Sequence, residues 1–276
     1  MMYPLLTKKE AEKIINCKEG KVDISLDLGL SSATINIKEG FACIQQQKIP
    51  LSEFSRIKEG SCYIAENNCI KKLAFFSDET NFYYKLVPTT DWPTITLSST
   101  PMHRHTLISP KQDTLLKIKE ISPVKGIVLD TCCGLGYTAI LSSKKADEVY
   151  SFEKDKTVLY IARLNPYSQE LFSSKKIRVF EEDICEGISK FKDSFFDRII
   201  HDPPTFKYSP MLYSKKFYSE LYRVLKKDGI LYHYAPWPQK TKGNVFYRKV
   251  VRNLKEMGFK KAEYHQESSG IRAVKL

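Results

Sequence analysis

The chain has 276 residues, 42% of them apolar, enough to bury a sizeable core in one large domain or two modest ones, and this excludes a disordered polymer. Its apolar runs are short and broken by charge, and the opening MMYPLLTKKEAEKII lacks the basic start, apolar middle and small-residue cleavage site of a secretory signal. A soluble cytoplasmic protein without a membrane partner is therefore expected. The formal net charge of +12 is unevenly spread: residues 1–100 hold twelve bases and twelve acids, so the whole excess lies beyond them.

From Lys21 to about Ile95 the chain reads as short β-rich runs, among them VDISLDL, ATINI, FACIQQ, CYIAE and FYYKLV, separated by KEG, ENN and SDET turn clusters. A small β-rich N-terminal domain with its linker, residues 1–100, follows from this pattern. The KEG triplet recurs at Lys18, Lys38 and Lys58 without a convincing repeat between, and reads as turn punctuation. Prolines at Pro93 and Pro101 then interrupt regular structure across a linker near 91–110. The seven cysteines form no CxxC pair, so they are expected to be reduced and mostly buried, with no metal site.

After Pro110 helix and strand alternate. A helix from Lys111 to Glu120 precedes strand 126–130, a glycine-containing turn and a helix through Ser143. Strand 148–153, helix 155–164, strand 177–183, a short helix and strand 196–202 follow. A helix over 213–227 is expected to end at Asp228-Gly229, before strand 230–236, a helix over 243–257 and two closing strands. Repeated β-α units imply a mostly parallel, Rossmann-like sheet covered on both faces, with its ligand beyond the carboxyl ends of the strands. Residues 101–276 form this second domain.

The turn after the first strand reads Asp130-Thr131-Cys132-Cys133-Gly134-Leu135-Gly136-Tyr137. Its glycines permit close backbone approach to a ligand, while Asp130 at the mouth suits a cationic group better than a pyrophosphate. The second strand ends in Glu153, placed to accept ribose hydroxyls, and the third in Asp183, placed to accept from an amino group. Any one of these acids reads as a helix N-cap, but three in succession at one edge point to a ligand.

Together Asp130, Gly134, Gly136, Glu153 and Asp183 resemble the S-adenosylmethionine site of class I methyltransferases, in which these positions meet the methionine moiety, the ribose and the adenine. Cys132 and Tyr137 of the same turn join them as cofactor candidates. The fourth strand runs into Asp202-Pro203-Pro204-Thr205-Phe206, which resembles the (N/D)PP(Y/F) signature of amino-group and nucleobase methyltransferases. There the acid and the following carbonyl accept hydrogens from a planar amine and the aromatic stacks on it. Here the aromatic arrives one residue late, closer to a variant found in ribosomal-RNA base methyltransferases. No cysteine follows Cys185, which disfavours a cytosine C5 route through a thiolate. The TPMHR segment at 100–104, the HDPPTF strand end and Tyr232-His233-Tyr234 also resemble a family of predicted archaeal methyltransferases. That makes His103, Arg104 and Tyr234 substrate-site candidates; His233 lines the pocket or simply packs.

From Lys240 to Lys261 there are eight Lys or Arg against Glu256 alone, with Lys249, Arg252 and Lys255 facing outward from the last helix. RNA is the leading expected partner, with methyl transfer to a nitrogen of a base. The alternatives are methyl or aminopropyl transfer to a small-molecule amine, and a non-catalytic module that keeps the fold.

Overall fold

The computed structural model describes residues 3–236 and 245–276. They fall into two compact units, Met1–Pro110 with Tyr160–Tyr167, and Lys111–Leu159 with Ser168–Leu276. The division comes at Pro110 rather than at residue 100 because strand Thr100–Pro101 still pairs with Thr94–Leu97.

The first unit contains three antiparallel sheets. Gly20–Ile24, Ala33–Lys38, Phe41–Ile44 and Gln47–Pro50 form a meander whose second strand buries Ile35 and Ile37 and exposes the residues between them, the period of a half-buried strand. The KEG triplet at Lys38 and the ENN cluster at Asn67 each become two-residue hairpin turns with both central residues at positive φ. A helix over Lys8–Cys17 precedes the strands, started by a capping box between Thr7 and Glu10 and buried through Ala11 and Ile14.

The second unit begins within α1 (Pro110–Glu120) and continues through β1 (Ile127–Asp130), α2 (Tyr137–Ser143), β2 (Glu148–Phe152), the first turn of α3 (Lys156–Leu164), whose remainder from Tyr160 belongs to the first unit, β3 (Ile177–Phe180), β4 (Phe196–His201), α4 (Lys215–Val224), β5 (Leu225–Tyr234), α5 (Val245–Glu256), β6 (Lys260–His265) and β7 (Gly270–Val274). They build a seven-stranded sheet in the order β3-β2-β1-β4-β5-β7-β6. The first five strands are mutually parallel, and β7 runs antiparallel to both β5 and β6. Neighbouring residues along a strand feed opposite cores. Leu129 and Ile199 join one apolar cluster with Leu221 and Leu254, whereas Val128 and Ile200 join another with Ile140 and Val149. Both faces are thus covered, and the strand order reverses between β1 and β4, the place where sheets of this kind hold a ligand beyond the carboxyl ends of their strands.

Two expectations change. The helix expected to reach residue 227 ends at Val224, because Leu225 already pairs with Phe196 and β5 has begun. Its Asp228-Gly229 turn lies inside that strand as an irregularity: pairing jumps from Phe196/Leu225 to Arg198/Ile230, and Asp228 sits at φ 61°. Only Cys62 and Cys133 are buried, and Cys69 is exposed; all seven thiols are free. In α5, Lys249, Arg252 and Lys255 do face outward over buried Val250 and Leu254, while Lys240, Lys242 and the Val245 side chain lie outside the described residues. Among the described residues no helix is long and apolar enough to cross a membrane.

The start of β1 depends on Gly126, at φ 63°, where an added Cβ would lie 2.2 Å from Asp197 Oδ2. That oxygen accepts the Ile127 N–H at 2.9 Å and pairs with Lys226 at 2.7 Å. Gly126→Ala should therefore cost about 2–4 kcal/mol, from left-handed backbone strain and displacement of the carboxylate. Denaturant unfolding of the variant beside the parent checks this.

Candidate active site

Asp130, the last residue of β1, is fully buried. Its Oδ2 accepts the hydroxyls of Thr138 at 3.0 Å and Ser151 at 3.1 Å, whereas Oδ1 is buried with no hydrogen-bond partner of good geometry among the described residues. Burial pushes this carboxyl up to about 7, against the two hydroxyls and the nearby Cys132 N–H, and the charge of Asp202 pushes it further. A buried carboxylate oxygen lacking a donor fits a ligand that brings its own ammonium or sulfonium charge.

Following Asp130, the turn doubles back on itself: Cys133 N–H donates to Phe152 O at 2.8 Å, and Gly136 N–H to Cys133 O at 2.8 Å. Gly136 adopts φ 80° at the head of α2, and a Cβ there would meet Leu171 at 2.5 Å. Tyr137 is buried in the helix that follows, and Cys132 is half-buried in the turn. Glu153, one residue past β2, clamps the turn by accepting Gly134 N–H at 2.9 Å on one oxygen and Asp155 N–H at 3.0 Å on the other. Packing around the carboxyl pushes it up to about 7, although part of the residue reaches the surface. Each oxygen keeps a further lone pair for a hydroxyl.

Asp183 stands three residues beyond the end of β3. It caps the short helix Ile184–Gly187, accepting Cys185 N–H at 2.9 Å, and pairs with Lys154 at 3.2 Å. Against the upward push of burial, that amide and that ammonium hold its carboxyl below the ordinary value. The N-cap role on one oxygen and the lysine pair on the other thus coexist in one residue.

Asp202 follows β4 directly and has a partner that the sequence did not announce. The Lys117 ammonium, on α1 and almost wholly buried, lies 2.6 Å from Asp202 Oδ2 and 2.8 Å from Asp113 Oδ2. It also stands 5.2 Å from the centre of the Tyr234 ring at the end of β5. Burial disfavours the charged lysine, but the two carboxylates outweigh it and raise its pKa well above the ordinary value. Asp113 and Lys117 are spaced as an i, i+4 pair, a pattern that in isolation reads as a surface ion pair.

Pro203 and Pro204 carry the chain out of the sheet, and Pro204 O accepts the Tyr213 hydroxyl at 2.8 Å. Phe206, 49% exposed, meets Tyr213 edge-on with ring centres 5.7 Å apart and Phe246 of α5 at 6.2 Å. His201 and His233 serve packing. His201 donates through Nε2 to Leu212 O at 3.0 Å and accepts the Thr131 hydroxyl at Nδ1, 2.7 Å away. His233 accepts the Tyr218 hydroxyl at 2.9 Å and donates to Tyr234 O at 2.7 Å. Burial keeps both neutral, holding His201 well below its usual range and His233 at about 4. His103 and Arg104 belong to the first unit, where the His103 Nδ1 lies 2.9 Å from the Thr94 hydroxyl.

The sequence model of the methyltransferase small domain matches residues 112–261. The uncharacterized protein MJ1233 of Methanocaldococcus jannaschii is 37% identical over 278 residues, 98% of this chain and 95% of the relative. A polyamine aminopropyltransferase of Prochlorococcus marinus is 29% identical over 43% of this chain and 42% of its own. Spermidine synthase from Thermotoga maritima shares the fold, with a TM-score of 0.53 at 16% identity, covering 72% of this chain and 70% of that one. With that match over residues 112–261 and its seven-stranded α/β sheet, the chain belongs to the methyltransferase small domain family, within the class I S-adenosylmethionine-dependent methyltransferases.

Proposed function

We propose that the protein methylates a nitrogen of an RNA base, using S-adenosylmethionine held at the ends of β1, β2 and β3. The observation that carries the reading is the Asp202 carboxylate, fixed by the buried Lys117 beside a proline-stiffened loop and the aromatic edge of Phe206. When bound, the cofactor supplies an electrophilic methyl group on a sulfonium. Asp130 would receive its ammonium, Glu153 its ribose hydroxyls and Asp183 its adenine amino group, with Cys132, Gly134, Gly136 and Tyr137 forming the turn around it.

Asp202 then acts as an oriented anion. A nitrogen gains positive charge as it takes up a methyl group, and a fixed carboxylate stabilises that charge without reorganising. Lys117 keeps Asp202 in place, and Pro203-Pro204 limits the loop that presents it. Phe206 offers an exposed ring against which a planar base can stack.

A second reading, methyl or aminopropyl transfer to a small-molecule amine, draws support from the identity with the aminopropyltransferase. An alkylamine is cationic near neutral pH, however, and would approach a carboxylate whose charge is partly offset by the Lys117 ammonium that it shares with Asp113. That charge arrangement favours a neutral, planar acceptor.

Asp202→Ala should still bind S-adenosylmethionine in calorimetry while losing about 10²–10³-fold in transfer rate; full activity would remove Asp202 from the chemistry. Mass spectrometry of RNA nucleosides and small metabolites from cells with and without the gene should show one methylated nucleoside missing, whereas a change confined to amines would favour the second reading. Lys117→Met, which strands two carboxylates, should cost about 3–5 kcal/mol in denaturant unfolding.

The Asp130 carboxyl titrates near 7 in the fold against an ordinary 3.8, so its contribution to stability is present below about pH 4 and lost as pH rises through 7. Ligand binding follows the opposite sense, since the anion attracts a cationic cofactor. Affinity for S-adenosylmethionine should rise between about pH 6 and about pH 8, and Asp130→Asn should flatten that rise in calorimetry.

A further inference from the structure

The outer face of α5 exposes Arg248, Lys249, Arg252 and Lys255. Between this helix and β6 runs a groove of about 580 Å³ lined by Tyr247, Arg248, Arg252, Lys255, Ala262 and Tyr264. Its acid, Glu256, is already paired with Lys215 at 2.6 Å and Arg252 at 3.8 Å, so the lining is net cationic. Toward the amino end of α5 the Tyr247 and Tyr264 rings lie 4.5 Å apart at 37°, with the Arg248 guanidinium 6.0 Å from the Tyr247 ring.

The helix that forms one wall of the groove also packs on the candidate active site. Phe246, adjacent to Tyr247, packs on Phe206 and on Tyr213, with ring centres 6.2 and 5.4 Å apart. The helix therefore presents one aromatic to the Asp202 loop and the next to the groove, and its 12 residues extend about 18 Å away from that point at 1.5 Å per residue. The β6 edge, which ends the sheet, carries exposed Lys260 and Lys261. Lysines on an edge oppose the addition of a peptide strand and attract a polyanion.

We infer that the α5–β6 groove is a docking track for single-stranded RNA, with phosphates along Arg248, Arg252 and Lys255 and a base against the Tyr247–Tyr264 pair. The choice of occupant draws on the RNA reading above, but the site is separate from Asp202 and binding is measurable without transfer. Regularly spaced cations suit a phosphate backbone, and paired rings beside an arginine suit the faces of unstacked bases.

Fluorescence anisotropy with a labelled, unstructured oligoribonucleotide of about 12 nucleotides tests this. The full-length protein should bind with a steep salt dependence, and R248A/R252A/K255A should reduce the slope of log affinity against log salt by about 2, at roughly 0.7 for each phosphate that is no longer neutralised. Tyr264→Ala should weaken binding about ten-fold, and Asp202→Ala should bind as the parent does. Thermal melting of each variant shows whether the fold is retained; the three cations are exposed, so the triple variant should melt with the parent. Parent-like binding by a folded triple variant, no binding by the parent, or displacement of RNA by polyglutamate as effectively as by unlabelled RNA would overturn the inference. Groove-dependent binding with no RNA methylation product would instead sink only the reading of the reaction.

Discussion

A buried ammonium between two carboxylates ties the end of β4 to the helix that precedes the sheet. Lys117 reaches from α1 to the end of β4, where it holds Asp202, and is itself held by Asp113 one helical turn earlier. An isolated lysine in that position would lose its charge to desolvation; the two carboxylates beside it keep it protonated. Asp202 is thereby held in position by a residue of the helix that precedes the sheet.

On the cofactor side the opposite arrangement holds. Asp130 is buried with hydroxyl donors on one oxygen and an unmet need on the other, and Glu153 is committed partly to bracing the glycine turn. Burial raises both carboxyls towards neutrality. The two sides differ because Asp202 already has a buried countercharge and Asp130 has only dipoles.

The α/β alternation after Pro110 was legible because parallel strands buried on both faces leave short apolar stretches, such as Ile127, Val128 and Leu129 or Ile199 and Ile200, separated by amphipathic helices. Boundaries were less legible. Asp228-Gly229 has the composition of a helix stop, yet pairing of Leu225 with Phe196 starts the strand before it, so long-range pairing overrode the local signal. Phe206, one position later than in the resembled signature, still meets Tyr213 and Phe246, because the short turn at 210–213 brings that tyrosine back under the loop.

Sequence alone determined the alternation of strand and helix after Pro110 and the stiffness of Asp202-Pro203-Pro204, since these are properties of local composition and period. Tertiary structure alone decided which charges neutralise one another. Lys117 and Asp202 are 85 positions apart, and nothing in either neighbourhood marks the pairing. Electrostatic partnership depends on distance and burial in three dimensions, and a lysine on a helix reads as solvated until the packing of the sheet removes the solvent.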